Sequence, residues 1–280
     1  MTRGHTSLAT CALLLLLLPA CGRPAPLAAT DTGLALRVEL VGGFTTPTAL
    51  ATRVPPVSVY ADGLVITEGP QIAIFPAPAL PNLQARRIAP DDVRTLVQRA
   101  LDAGVGRDVD LGEPPIADAT TTRFVVGSGA DREQLDAYAL AETAGAPGLT
   151  PEQQAARTEL NELLAALTDL GRTLGPGAVS AEEPYEPESV AAVVTPWTDP
   201  APELGEQPEA EWPGPELPGE PYAPGLDLSC TVATGPAADA VLAAAAGANS
   251  ATPWTSAGSR WSVALRPLLP DEAGCADLRD

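Results

Sequence analysis

The chain has 280 residues, 45% of them hydrophobic, so there is apolar material for one large domain or two small ones and the whole is not disordered. Its formal net charge of −20 argues against nucleic acid and against an anionic membrane surface as partners, because both attract basic patches. All 16 basic residues are arginine and the one histidine is His5, which narrows the chemistry open to the chain.

Residues 1–20 read as a secretory signal. Arg3 gives a short basic head, Leu8 to Leu18 is an apolar run too short to span a bilayer, and small residues close it. Leu18-Pro19-Ala20-Cys21 followed by Gly22 resembles a bacterial lipobox. The resemblance implies cleavage before Cys21 and attachment of lipid to its thiol, with palmitate-type acylation of the new amine. It also implies a cell-membrane location, lipid-anchored and facing outward. Ordinary cleavage near Ala28-Ala29, which would release a soluble protein, remains the alternative. Removal of the leader takes His5 with it. What is left has neither His nor Lys, and so cannot build a Ser-His-Asp or Cys-His site, a His-ligated metal, a Ser-Lys pair or a Schiff base. Chemistry by carboxylates, Arg, Tyr, Ser or a bound cation survives, and no cofactor is expected.

Residues 21–33 read as a tether, which as a coil of a dozen residues reaches about 20 Å. A body over 34–172 follows. Leu34 to Leu40 alternates as a strand, and Val57–Tyr60 and Leu64–Thr67 form a hairpin around Asp62-Gly63. Pro70 to Pro81 is apolar but proline-punctuated, and is expected to cross the core as an extended or edge segment. Pro90 to Ala103 is a helix with Pro at its start, Asp91 and Asp92 in its first turn and Gly104 beyond its end. Asp108, Asp110, Glu113 and Asp118 crowd the next loop; the EF-hand spacing fails, so they read as a solvated loop and no metal is assigned. Thr121–Val126 and Glu133–Leu140 form a second hairpin. Thr150-Pro151-Glu152-Gln153 is a capping box opening a helix to about Leu170.

This order of hairpin, helix, loop, hairpin, helix is similar to small domains of unknown function from bacterial secreted proteins. The residues that carry the likeness are Tyr60-Ala61-Asp62-Gly63, Ala117-Asp118-Ala119-Thr120-Thr121 and Tyr138. Val65-Ile66-Thr67-Glu68-Gly69-Pro70, Pro78-Ala79-Leu80-Pro81 and Leu265-Arg266-Pro267-Leu268-Leu269-Pro270 resemble uncharacterised lipoproteins of high-G+C Gram-positive bacteria. Neither likeness implies an activity.

After a linker at 173–187 the composition turns acidic and proline-rich, with no arginine between Arg172 and Arg260. A module at 188–280 is expected, holding a buried strand at Glu188–Trp197, an acidic connection at 198–225, and a strand at Leu226–Val232. A helix at Pro236–Ala246 and a last hairpin at Pro253–Leu268 complete it. Cys230 and Cys275, the cysteines left in an exported chain once Cys21 is lipidated, most simply pair as a disulfide. In the last hairpin Trp254 falls opposite Trp261, while Arg260 and Arg266 share one strand face; these four are the candidate site for an anionic ligand, or a clamp on the acidic connection. The fold class is α+β, antiparallel hairpins backed by helices. The function expected is a non-catalytic binding or structural role in the envelope, with an envelope protein or anionic ligand as partner and no nucleic acid. The alternatives are a carboxylate-based hydrolase, for example on glycans, and a solute-binding lipoprotein of a transporter.

Overall fold

The computed structural model describes residues 1, 33–142, 148–199 and 204–279, so the signal segment, Cys21 and the tether lie outside the described residues. The described chain is α+β, with two sheets each covered by helices on one face. Among the described residues no helix is long and apolar enough to cross a membrane.

The first sheet is built from β1 (Leu34–Gly42), β2 (Val57–Tyr60), β3 (Leu64–Glu68), β4 (Leu83–Arg87), β5 (Thr120–Val126), β6 (Glu133–Tyr138) and β7 (Glu183–Pro184). Their spatial order is β6-β5-β1-β2-β3-β4-β7, antiparallel throughout. Gly63 closes the β2–β3 hairpin at φ +88°, donating its N–H to the Tyr60 carbonyl. A Cβ there would sit 2.1 Å from the Ile88 carbonyl oxygen, so only glycine serves. Between Leu34 and Leu36 the β1–β2 register slips. Leu34 and Leu36 consequently enter different apolar clusters, although they would share a face in a regular strand.

Helices α1 (Pro47–Ala51), α2 (Pro90–Asp102), α3 (Pro151–Thr168) and α4 (Leu170–Leu174) belong to this half. In α2 the aspartates occupy the positive end of the dipole and Val93, Leu96 and Ala100 turn inward. The Thr150–Gln153 capping box opens α3, with each side chain bonded to the other residue's backbone N–H. Asp169 leaves helical geometry, so α3 stops at Thr168 and Asp169 caps α4 by accepting from the Arg172 N–H. Both long helices pack on Leu36, Val38, Val57, Val59, Val65 and Phe124 to form the main core. The acidic loop is tied to this core. Arg157, buried on α3, donates to the Leu111 and Tyr138 carbonyls, and Asp110 accepts from Gly112 N–H and the Gln153 side chain.

The second sheet takes β8 (Ser189–Pro196), β9 (Ala210–Glu211), β10 (Glu220–Pro221), β11 (Ser229–Thr234), β12 (Trp254–Ser256) and β13 (Ser259–Pro267), in the order β10-β11-β8-β13-β12-β9. Pairing is antiparallel except between β12 and β9. Helix α5 (Pro236–Ala245) covers one face, burying Ala238, Val241 and Ala245 against Val190, Ala192, Val194, Val263 and Leu265. Strand β8 is buried on both faces: Ala191 and Val193 point the other way, to Ala51 of α1, Leu228 and Leu268. That is why it reads as a continuous apolar run instead of an alternating one.

Three features of the chain differ from what its composition suggests. Pro70–Pro81 does not cross the core: Ile72, Ile74 and Phe75 stand exposed, and only 77–80 dock, through Ala79 N–H to the Ala248 carbonyl and Ser250 N–H to the Ala77 carbonyl. Apolar composition there is cancelled by proline, which removes the donors a central strand needs. The stretch 173–187 contains β7, which extends the first sheet by pairing with β4. The acidic connection supplies β9 and β10, the two edge strands of the second sheet, and buries Trp212 and Leu217. Its prolines are compatible with edges because an edge strand leaves donors unused.

Candidate functional site

The faces of the two sheets turned away from α2, α3 and α5 look toward the C-terminal tail, 268–279, with α1 beside it. Alternation along β1 and β2 places Arg37, Ser58 and Tyr60 on this side, away from α2 and α3. The Arg37 guanidinium donates to Ser58 Oγ at 2.9 Å, to Tyr60 Oη at 3.2 Å and to Asp271 Oδ1 at 2.6 Å. Tyr60 donates its hydroxyl proton to the same carboxylate oxygen at 2.7 Å. From the other sheet Arg266, 1% exposed, donates to Glu272 Oε1 at 2.8 Å and to the Arg53 carbonyl at 3.3 Å. The second Glu272 oxygen accepts the Leu269 N–H at 2.8 Å. Two arginines from two sheets are thus neutralised by two consecutive tail carboxylates.

Burial and charge pull these groups in readable directions. Burial works against the Arg37 cation, but Asp271, Tyr60 and Glu272 together outweigh it and the arginine's pKa rises. Burial lowers Arg266 and raises Glu272 despite their pairing. Burial also raises the Tyr60 phenol, which therefore stays protonated and serves as a donor. The nearby Tyr185 hydroxyl, which donates to the Leu268 carbonyl at 2.9 Å, is pushed up to about 12 by burial first and Glu272 second.

Beside this network opens a cleft of ≈ 520 Å³. Its walls carry Arg37, Arg53, Arg123, Arg132, Arg266 and Arg279, against Glu39, Asp271, Glu272 and Asp277. Six of the 16 arginines of a strongly acidic chain therefore gather at one hollow, where they outnumber the carboxylates. Arg123 grips Asp136 with two nitrogens at 2.8 and 2.9 Å, and Arg132 lies 3.5 Å from Glu39. Two arginines differ from the rest: among the described residues neither Arg53 nor Arg279 forms an ion pair. Arg53 Nη1 donates to the Leu40 and Gly42 carbonyls, both at 2.9 Å, and the Arg279 guanidinium lies 5.2 Å from the centre of the Tyr222 ring. Arg53 is held in place by carbonyls at the end of β1, while no carboxylate among the described residues pairs with its charge.

The four candidates taken from the last hairpin are placed as follows. Trp254 stands opposite Trp261 in the β12–β13 register, and is fully buried edge-on to Trp212 with ring centres 5.4 Å apart. Arg260 is exposed and pairs at 2.8 Å with Glu209 of the acidic connection. Arg266, six positions along the same strand, lies at the junction of the sheets, about 20 Å further on at strand rise. The structure brings Arg266 to the cleft and leaves Arg260 and the two tryptophans elsewhere. Arg37, Arg53, Asp271 and Glu272 were not singled out from the sequence. A usable signal was present in Leu34–Leu40: an arginine on the polar face of a strand whose neighbour β2 carries Ser58 and Tyr60 on the same side.

The disulfide joins Cys230 on β11 to Cys275, with Cα atoms 6.1 Å apart, and so fixes the tail against the second sheet. Comparison with protein families, with curated proteins and with solved structures found no match.

Proposed function

We propose that the chain is a lipid-anchored, outward-facing envelope protein whose arginine-lined cleft binds a small oxyanion, phosphate or carboxylate, without catalysis. The observation that carries this is the pair of uncompensated cations, Arg53 and Arg279, at a hollow where arginines outnumber acids in a chain of net charge −20. Guanidinium groups suit such ligands because their planar donors match the oxygens in pairs. The overall negative charge does not veto the site, since exposed charges beyond about 8–10 Å are largely screened at physiological ionic strength.

The geometry favours binding over hydrolysis. Both Glu272 oxygens accept hydrogen bonds and Asp271 Oδ1 is held by Arg37 and Tyr60, so both carboxylates are engaged as counter-ions to buried arginines. Tyr60 is kept neutral and acts as a donor to Asp271.

Titration calorimetry with inorganic phosphate and with acetate tests the reading. Charge-assisted hydrogen bonds contribute about 1.5–3 kcal/mol each. Arg53→Gln and Arg279→Gln should therefore each weaken binding by roughly 10- to 100-fold. Absence of any heat with either anion would overturn it. The anchor is tested separately: Cys21→Ser should abolish labelling by a fatty-acid probe. Equal labelling of variant and wild type would exclude lipid at Cys21.

A further inference from the structure

We propose that the ligand of this cleft is a single-chain amphiphile, its anionic head held by Arg53 and Arg279 and its aliphatic chain lying in an apolar groove next to them. The inference rests on the oxyanion-binding reading and adds what the rest of the ligand must be. A second hollow of ≈ 320 Å³ lies between α1 and the segment 222–228. Its walls are almost wholly apolar: Pro47, Leu50, Leu226 and Leu228, with Tyr222 and Pro224. The two hollows adjoin: Leu50, Ala51, Leu278 and Arg279 line both.

That shared wall sets the orientation of an occupant. Arg279 stands at the boundary with its guanidinium over the Tyr222 ring, an arrangement that fixes a cation beside an apolar surface. The Tyr222 hydroxyl is turned away to the Leu278 carbonyl at 2.5 Å. Leu226 is 47% exposed, a large apolar side chain left in water at the groove's outer lip. Charge complementarity at one end and apolar walls at the other describe a molecule with one anionic group and a short hydrocarbon chain. A free phosphate satisfies only the first half, and an uncharged lipid only the second. Ligand pockets typically enclose roughly 300–1,000 Å³, and the two hollows together fall in that class.

The test is a series of monomeric alkyl phosphates, ethyl, butyl, hexyl and octyl, titrated below their micelle concentrations into the full chain carrying Cys21→Ser. Each buried methylene is worth about 0.8 kcal/mol, which is about a fourfold gain in affinity. Affinity should climb two- to fourfold per methylene from ethyl upward, until the chain outgrows the groove. Leu226→Ser should flatten that climb, whereas Arg279→Gln should weaken every member alike. Ethyl phosphate binding as tightly as octyl would overturn the amphiphile while leaving the oxyanion reading intact. No binding of ethyl or inorganic phosphate would sink both. Binding to anionic lipid vesicles with none to the monomeric series would replace the proposal with a membrane-surface contact.

Discussion

Glu272→Ala should destabilise the protein by about 3–5 kcal/mol, because it strands a buried cation. The side chains of Arg266 and Glu272 are 2% and 6% exposed. With the carboxylate gone, Arg266 keeps only the Arg53 and Pro267 carbonyls as partners, and nothing neutralises its charge. The pair itself contributes much less than its removal costs. Burial raises Glu272 even with Arg266 beside it, so desolvation outweighs attraction. The double variant Arg266→Met, Glu272→Met should therefore recover most of the loss, and urea unfolding of the three proteins measures it. A loss below about 1 kcal/mol in the single variant would mean that the pair is solvated in solution.

The pH dependence carries the same sign. The folded protein holds the Glu272 proton to a higher pH than the unfolded chain does, so this residue's contribution declines as pH rises from the ordinary glutamate range through the raised value. Glu272→Gln should lack that decline. A variant whose stability falls with pH in the same way as wild type would assign the decline to other groups.

Local signals carried much of the fold. The helix over Pro90–Asp102 follows from Pro90, two aspartates and a 3.6-residue apolar period, all within one short stretch. The last hairpin was legible down to its register, since Ala257 and Gly258 adopt positive φ in a two-residue turn and this fixes Trp254 against Trp261. Signals failed where a partner lay far away. Strand β7 is two residues long and exists because β4, about a hundred positions earlier, offers it an edge. Arg37 sits in an alternating strand that reads as half-exposed, yet it is 5% exposed because the tail covers that face. Alternation reports which residues share a face; what packs on the face depends on residues 234 positions away.

The candidate site was less legible than the fold for the same reason. Arg260 and Arg266 are close in sequence on β13, but the cleft collects its arginines from β1, the turn after α1, β5, the β5–β6 loop, β13 and the tail. Sequence proximity put Arg260 and Arg266 together. Strand rise separates them, since six residues of extended chain span about 20 Å. The compensating carboxylates were hidden in Pro270-Asp271-Glu272, which reads as a polar turn after the last strand.

Replacing both Cys230 and Cys275 with serine should lower stability by about 4 kcal/mol, the chain-entropy value for the closed loop of some 45 residues, and Tm by roughly 8–16 °C. The loop encloses α5 and the whole β12–β13 hairpin, so in the unfolded chain the bond restricts most of one wall of the second sheet. In the folded protein it holds the turn at Cys275–Leu278 against β11, and that turn leads directly to Arg279. The tail has further attachments upstream of the bond: Leu268 N–H to the Ser189 carbonyl, Asp271 to Arg37, and Glu272 to Arg266. Loss of the disulfide should therefore free residues 273–279 more than residues 268–272. Limited proteolysis of the double-serine variant should cut after Glu272 before it cuts the sheets, and oxyanion affinity should fall with the loss of Arg279 from the cleft. A variant with unchanged Tm and an uncut tail would show that the ion pairs and not the disulfide hold the tail in place.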